Sequence, residues 1–180
     1  MTKGKLIPAA VGLGAVALLA ALFLPDRRSE PPPPGQPAPD FNFTLEGQPR
    51  RLSELRGQVV VLNFWATWCP PCVEEMPSLE RLHRKLASRG VVVLGVSVDT
   101  DAVAYEKFLR DFHITFLNFR DPGGQIPLRY GTTMFPETYI VDRDGRVARK
   151  MIGPHQWDNP EILSYLTHLV GGTAGAGAAR

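Results

Sequence analysis

The chain has 180 residues, room for one domain with a sizeable core plus additional segments. Its 20 basic and 18 acidic side chains are mixed along the sequence and leave a formal net charge of +2. No basic stripe marks a nucleic-acid surface, so no nucleic-acid partner is expected, and charge points to no other partner class.

Residues 1–25 come first. Leu6 to Leu24 is a run of 19 uncharged residues, preceded by Lys3 and Lys5 and followed by Asp26, Arg27 and Arg28. As a helix it would be about 28 Å long, close to the hydrocarbon thickness of a bilayer. Ala15-Val16-Ala17 has the small-residue pattern of a signal-peptide cleavage site. Apolarity nevertheless continues through Leu24, which favours an uncleaved, single-pass transmembrane helix. Basic residues tie on the two flanks and do not orient it. Either reading places the rest of the chain outside the cytosol, where disulfides persist, so a reduced cysteine pair there would need an electron supply.

Residues 26–39 read as a linker, with Pro31 to Pro34 in a row and Pro37 and Pro39 soon after. In polyproline II this spacer would reach about 43 Å. The folded domain is expected over residues 40–170. Phe41, Phe43 and Leu45 alternate as in a half-buried strand, and Glu46-Gly47-Gln48-Pro49 reads as a turn. Ser53 is a candidate N-cap for one helical turn ended by Gly57. Val59 to Phe64 is a continuous apolar run, as in a central strand covered on both faces. A helix should follow from about Cys69 to Arg89, burying Val73, Met76, Leu79, Leu82 and Leu86, with Pro77 kinking it and Gly90 stopping it.

Val91 to Val98 predicts a second buried strand. Asp99, Thr100 or Asp101 could cap the next helix, with Val103, Phe108 and Phe112 as its inner face. Thr115 to Phe119 predicts a strand and Ile126 to Tyr130 a short helix. Glu137 to Val141 and Arg146 to Ile152 flank Asp142-Arg143-Asp144-Gly145 and predict a β-hairpin. Asp158 is the expected N-cap of a last helix, opened by Pro160 and ending near Val170. Residues 171–180 form a Gly/Ala-rich tail expected to lack regular structure. Strands alternating with helices and closed by a hairpin imply an α/β fold with a mixed sheet.

The only two cysteines sit in Trp65-Ala66-Thr67-Trp68-Cys69-Pro70-Pro71-Cys72, between the first buried strand and the helix after it. A structural zinc site needs four ligands, and His83, His113, His155 and His168 lack the spacing to complete one. Covalent haem attachment needs a histidine after the second cysteine, where this chain has Val73. An inert structural disulfide would close too small a loop to constrain the unfolded chain. A redox-active dithiol is the remaining use of this pattern.

These residues resemble the TlpA/ResA/DsbE group of membrane-anchored, thioredoxin-like thiol–disulfide oxidoreductases. The likeness spans Ala38 to Val170. It rests on Ala38-Pro39-Asp40-Phe41, Leu52 to Gly57, Val61 to Cys72, Glu75 and Pro77, Gly95-Val96-Ser97, and Phe135-Pro136-Glu137-Thr138-Tyr139-Ile140-Val141-Asp142. It implies a thioredoxin-like fold: a mixed sheet flanked by helices, an N-terminal β-hairpin, and a βα insertion within Asp99 to Tyr130. It also implies a protein-disulfide reductase acting on exported proteins and fed by a membrane thiol electron donor. The inner membrane would hold its domain on the periplasmic or extracytoplasmic side. Pro136-Glu137-Thr138 resembles the branch serving cytochrome c maturation, with apocytochromes c as partners, whereas Val96-Ser97-Val98-Asp99 resembles the general TlpA/ResA type. No metal, nucleotide or flavin is implied. An oxidase or isomerase using the same dithiol stays open, as does a non-catalytic tethered binding module, which the intact cysteine motif disfavours.

Within that frame Cys69 is the expected nucleophile, its thiolate favoured by the positive end of the helix. Cys72, one turn further in, would resolve the mixed disulfide. Pro70 and Pro71 lack amide hydrogens and withhold two donors from the Cys69 sulfur, which points to moderate thiolate stabilisation. Glu75, on the helical face of Cys72, occupies the acidic position of the group's Cys-x-x-Cys-x-x-Glu-x-Pro pattern and would move the proton. Asn63 stands where thioredoxins proper carry a buried Asp, and an amide cannot shuttle protons. By resemblance Pro136 is a cis proline facing Cys69, and the backbone of Phe135 would bind the partner strand. Trp68 is a candidate partner contact. Trp65, His155 and Trp157 are assigned to packing.

Overall fold

The structure of the protein is a computed structural model that describes residues 30–45 and 47–172. The expected membrane segment, residues 26–29 of the linker, Glu46 of the first turn and residues 173–180 of the tail lie outside the described residues. Among the described residues no helix is long and apolar enough to cross a membrane.

In chain order the elements are β1 (Asn42–Leu45), β2 (Gln48–Arg51), a 3-10 turn (Leu52–Leu55), β3 (Val59–Trp65), α1 (Pro70–Leu86), β4 (Val91–Ser97), α2 (Ala102–Asp111), β5 (Leu117–Arg120), α3 (Gln125–Arg129), β6 (Glu137–Val141), β7 (Val147–Ile152) and α4 (Pro160–Gly171). Strands β1 and β2 form an antiparallel hairpin, and the other strands form one mixed sheet in the order β5-β4-β3-β6-β7. The insertion expected between Asp99 and Tyr130 consists of α2, β5 and α3, with β5 extending the sheet in parallel to β4.

All seven residues of β3 are buried, with a layer on each face, which is why its run is apolar apart from Asn63. Alternation assigns the faces. Val59, Val61, Val91, Val93 and Ile140 pack with Met76, Leu79, Leu82, Leu86 and Leu166 of α1 and α4. Val60, Leu62, Phe64, Leu94 and Tyr139 pack with Phe41, Phe43, Leu52, Leu55, Ile126 and Tyr130. Helix α1 continues through Pro77 to Leu86, and Gly90 ends the 3-10 turn that follows it (Ala87–Arg89) in the left-handed region at φ 90°.

Several local expectations are corrected. Gln48 and Pro49 already belong to β2, leaving a shorter turn. Ser53 lies inside the 3-10 turn and caps nothing; Leu52 and Leu55 bury together one residue earlier, and the Ser53 amide donates to Asp40 Oδ1 at 3.0 Å. Asp101 is the cap of α2, accepting from Val103 and Ala104. That cap sets the helix phase so that Tyr105 and Phe108 face Trp65, while Val103 is 72% exposed and Phe112 40% exposed. The last helix is capped by Asn159, the residue before Pro160, and Asp158 instead binds Arg81 through two hydrogen bonds.

Part of the proline-rich segment joins the fold. The Gly35 N–H donates to Val147 O at 2.8 Å, the Val147 N–H to Gln36 O at 2.9 Å, and the Ala38 N–H to Gly145 O at 2.9 Å. The Tyr130 hydroxyl donates to Pro39 O at 2.8 Å. Gly35, Gln36 and Ala38 keep the amide hydrogens that the four preceding prolines lack, so the chain can pair here and covers the start of edge strand β7.

Gly95 illustrates how tightly the sheet is filled near the dithiol. A Cβ there would lie 2.0 Å from Asn118 Oδ1 and 3.0 Å from Trp65 Nε1, two atoms that hydrogen-bond each other at 3.2 Å. Gly95→Ala is expected to destabilise the protein by about 1–3 kcal/mol, the usual cost of overpacking. Urea unfolding of the two proteins measures it.

Candidate active site

Register brings one end of the sheet together. Trp65 at the end of β3 pairs with Ser97 at the end of β4, Phe64 with Glu137 at the start of β6, and Glu137 with Ile152 at the end of β7. The chain leaves β3 there and enters α1 after a loop of four residues, Ala66 to Cys69. A buried carboxylate holds the intervening loop: Asp99 accepts from the Thr67 amide at 2.9 Å, the Thr67 hydroxyl at 2.6 Å and the Ser97 hydroxyl at 2.6 Å. Asp99, in sequence a candidate helix cap and the last residue of the Val96-Ser97-Val98-Asp99 pattern, thus has a structural role at the loop before α1. Its alternation with Ser97 beyond a buried strand was the available signal.

Cys69 and Cys72 are joined in a disulfide with their Cα atoms 5.3 Å apart. Cys69 is the N-cap of α1, and Pro70 and Pro71 fill the first two helical positions. The two sulfurs are not equivalent. Cys69 is 6% exposed beside Trp68, itself 64% exposed, whereas Cys72 is fully enclosed. A partner therefore meets Cys69 first.

One turn beyond Cys72 lies Glu75, only 1% exposed. Three donors converge on it. Asn63 Nδ2 reaches Oε1 at 2.8 Å, and Oε2 accepts from Trp157 Nε1 at 2.9 Å and the His155 amide at 3.1 Å. Burial raises the carboxyl pKa to about 7, and the hydrogen bonds from Trp157, Asn63 and His155 oppose the rise. Asn63 also donates to Thr138 Oγ1 at 2.8 Å, linking the cradle to β6. The connection carrying His155 and Trp157 docks on α1 through Ser78, whose hydroxyl accepts from the Trp157 amide at 3.1 Å and donates to Glu75 O at 2.8 Å.

Trp157 and His155, read from sequence as packing residues, thus hold the carboxyl. No local spacing announces this, because they lie about 80 positions from Glu75.

Across from the helix start, the Phe135–Pro136 peptide bond is cis. The Phe135 ring meets Trp68 edge-on, centroids 6.2 Å apart, and the Pro136 carbonyl accepts from the Gly153 amide at 2.9 Å. Met134 and Ile152 add exposed apolar surface beside this loop. Cys69, Cys72, Glu75, Trp68, Pro70, Pro71, Phe135 and Pro136 therefore lie at one end of the sheet. Among the described residues no group of His, Cys, Asp and Glu is placed to hold a metal ion.

The Redoxin family matches residues 33–166 of the chain. The thiol-disulfide oxidoreductase ResA of Bacillus thuringiensis subsp. konkukian is 36% identical over 120 residues, covering 66% of this chain and 69% of that protein. ResA of Geobacillus thermodenitrificans is 39% identical over 120 residues, again 66% of this chain and 69% of that one. Among solved structures, a candidate thiol:disulfide interchange protein DsbE from Chlorobium tepidum superposes with a TM-score of 0.72 at 31% identity, over 78% of this chain and 99% of that chain.

Proposed function

Because the chain belongs to the Redoxin family, among thiol–disulfide oxidoreductases of the ResA and DsbE type, we propose that it is a membrane-tethered reductant of disulfides in exported proteins. The fold is thioredoxin-like and the activity is thiol–disulfide exchange. One observation carries the finer reading: the slightly exposed Cys69 is paired with the fully enclosed Cys72, and a buried carboxyl with a near-neutral pKa follows one turn later.

In the reduced protein the Cys69 thiolate attacks a partner disulfide. A bond forms between Cys69 Sγ and one partner sulfur, the partner S–S bond breaks, and the other sulfur leaves as a thiolate. The Cys72 thiol then passes its proton to the Glu75 carboxylate, and its sulfur attacks Cys69 Sγ. The mixed disulfide breaks, Cys69–Cys72 closes, and the partner has gained two electrons. Trp68, Phe135 and the cis Pro136 frame the partner chain during both displacements.

The helix start supports the reducing direction of electron flow. With proline at its first two helical positions, α1 offers the Cys69 sulfur fewer amide donors than an ordinary N-terminus. A less stabilised thiolate makes the dithiol easier to oxidise, which favours a reductant. The N-terminal apolar segment supplies the tether on the extracytoplasmic side of the inner membrane, and a membrane thiol protein supplies the electrons. Apocytochromes c, whose paired cysteines must be thiols before haem attachment, fit as partners.

Cys72→Ser in the full chain tests the proposal by leaving the mixed disulfide unresolved. Covalent capture of exported proteins on Cys69 is the expected result; apocytochromes c alone would define the maturation role and a broad set a general reductant. Titration of the Cys69 thiol provides the second arm. A pKa near 3.5, typical of the strongest dithiol oxidants, would instead make the protein an oxidase.

A further inference from the structure

The Glu75 cradle contains a donor that the exchange chemistry does not itself require. The groups bonded to the carboxyl are Asn63 from β3 and the His155 amide and Trp157 indole from the β7–α4 connection, with Cys72 three residues earlier on its own helix. The His155 ring is turned edge-on to Trp157, centroids 5.7 Å apart, so this residue meets the carboxyl through its backbone. Asn63 is shared with Thr138. The Trp157 N–H points at Glu75 alone, from a fully buried ring that Ser78 anchors by the backbone.

We propose that Trp157 is a positioning residue for proton transfer: its indole N–H fixes the Glu75 carboxyl and holds it in the charged, proton-accepting form. The inference rests on Glu75 being the acceptor for Cys72, and it gives the β7–α4 connection a part in the reaction. A hydrogen bond to a charged group, formed away from water, is among the stronger ones, and losing it favours the protonated acid. Without the indole N–H, a higher pH is needed before Glu75 can take the Cys72 proton.

The test uses the full-length reduced protein and Ellman's reagent, in which the second nitrothiobenzoate released reports Cys72 attacking the mixed disulfide. For the natural chain the rate should rise with pH through about 7. Trp157→Phe is expected to move that rise upward by about one pH unit, slowing resolution at pH 7 about fivefold. Replacing Trp157 with 3-benzothienylalanine keeps the shape and removes only the N–H, so the same shift is expected even if the Phe variant folds poorly. In a Glu75→Gln background neither replacement should move the profile. A midpoint unchanged by both replacements, while Glu75→Gln abolishes it, overturns the role of Trp157 alone. A profile that survives Glu75→Gln overturns the reading of Glu75 and this inference with it.

Discussion

Glu75→Gln is expected to slow resolution of the mixed disulfide by about 10²- to 10⁴-fold at neutral pH, the range of a lost general base, and to stabilise the fold in the same pH range. The two effects share one cause. A carboxyl with a folded pKa near 7 and an ordinary value of 4.5 is held where its charge is unwelcome. Below about 4.5 it is neutral in both states and costs nothing extra. Between 4.5 and 7 the folded protein binds a proton that the unfolded chain has released, so stability falls as pH rises. Above 7 the full penalty applies. At about 1.4 kcal/mol per unit, that rise amounts to about 3 kcal/mol.

Gln removes the penalty if its amide can be accommodated, and the cradle provides for that. Among the described residues Asn63 Oδ1 is buried without a partner, so turning the Asn63 amide over presents an acceptor to the Gln NH2. The Gln oxygen can still face Trp157 and His155. Urea unfolding of both proteins in the disulfide form should therefore give equal stabilities at pH 4. At pH 8 the variant should gain as much as about 3 kcal/mol. Parallel stability curves across that range would remove the electrostatic premise, whatever the kinetics show. A slower enzyme that is harder to unfold is the pattern expected when a strained site is kept for its chemistry.

Legibility in the sequence followed the range of the interactions concerned. The central strand was readable because every residue from Val59 to Phe64 except Asn63 is apolar, and α1 because its stripe, proline start and Gly90 stop lie within one segment. The dithiol was readable for the same reason. Helix phase was harder. Val103 looked like core, but the Asp101 cap turned Tyr105 inward, a residue whose hydroxyl had disguised it. Asp158 and Asn159 are both good caps by chemistry, and an ion pair with Arg81 across 77 positions separated them. The cradle of Glu75 was unreadable in its essential part, since Asn63 and the pair His155 and Trp157 come from two places in the chain, both apart from Glu75 and far from each other. The pairing of Gly35 to Ala38 with the start of β7 was hidden by prolines that suggested only a spacer.

Lys150→Met is expected to destabilise the protein by about 3–5 kcal/mol, a loss far beyond that of a surface lysine. Glu137, fully buried directly after the cis Pro136, accepts from Thr132 Oγ1 at 2.7 Å on Oε1, and the same oxygen is ion-paired with Lys150 Nζ at 3.0 Å. Its Oε2 is buried with no partner, so among the described residues Lys150 supplies the one cation that balances this carboxylate. The lysine reaches it diagonally across the β6–β7 pair, with Nζ 5.4 Å from the centre of the Tyr139 ring. Met keeps the length and apolar stem of the side chain, so the variant isolates the charge. Pairing it with Glu137→Gln should recover most of the loss, because the amide still accepts from Thr132 and no unpaired charge remains. Urea unfolding of the four proteins of that cycle measures the coupling, and a single-variant loss below about 1 kcal/mol would show that solvent replaces the lysine. Because Glu137 anchors the strand that begins at the proline loop, the single variant should also weaken partner capture by Cys69 in the Cys72→Ser background, and the double variant should restore it.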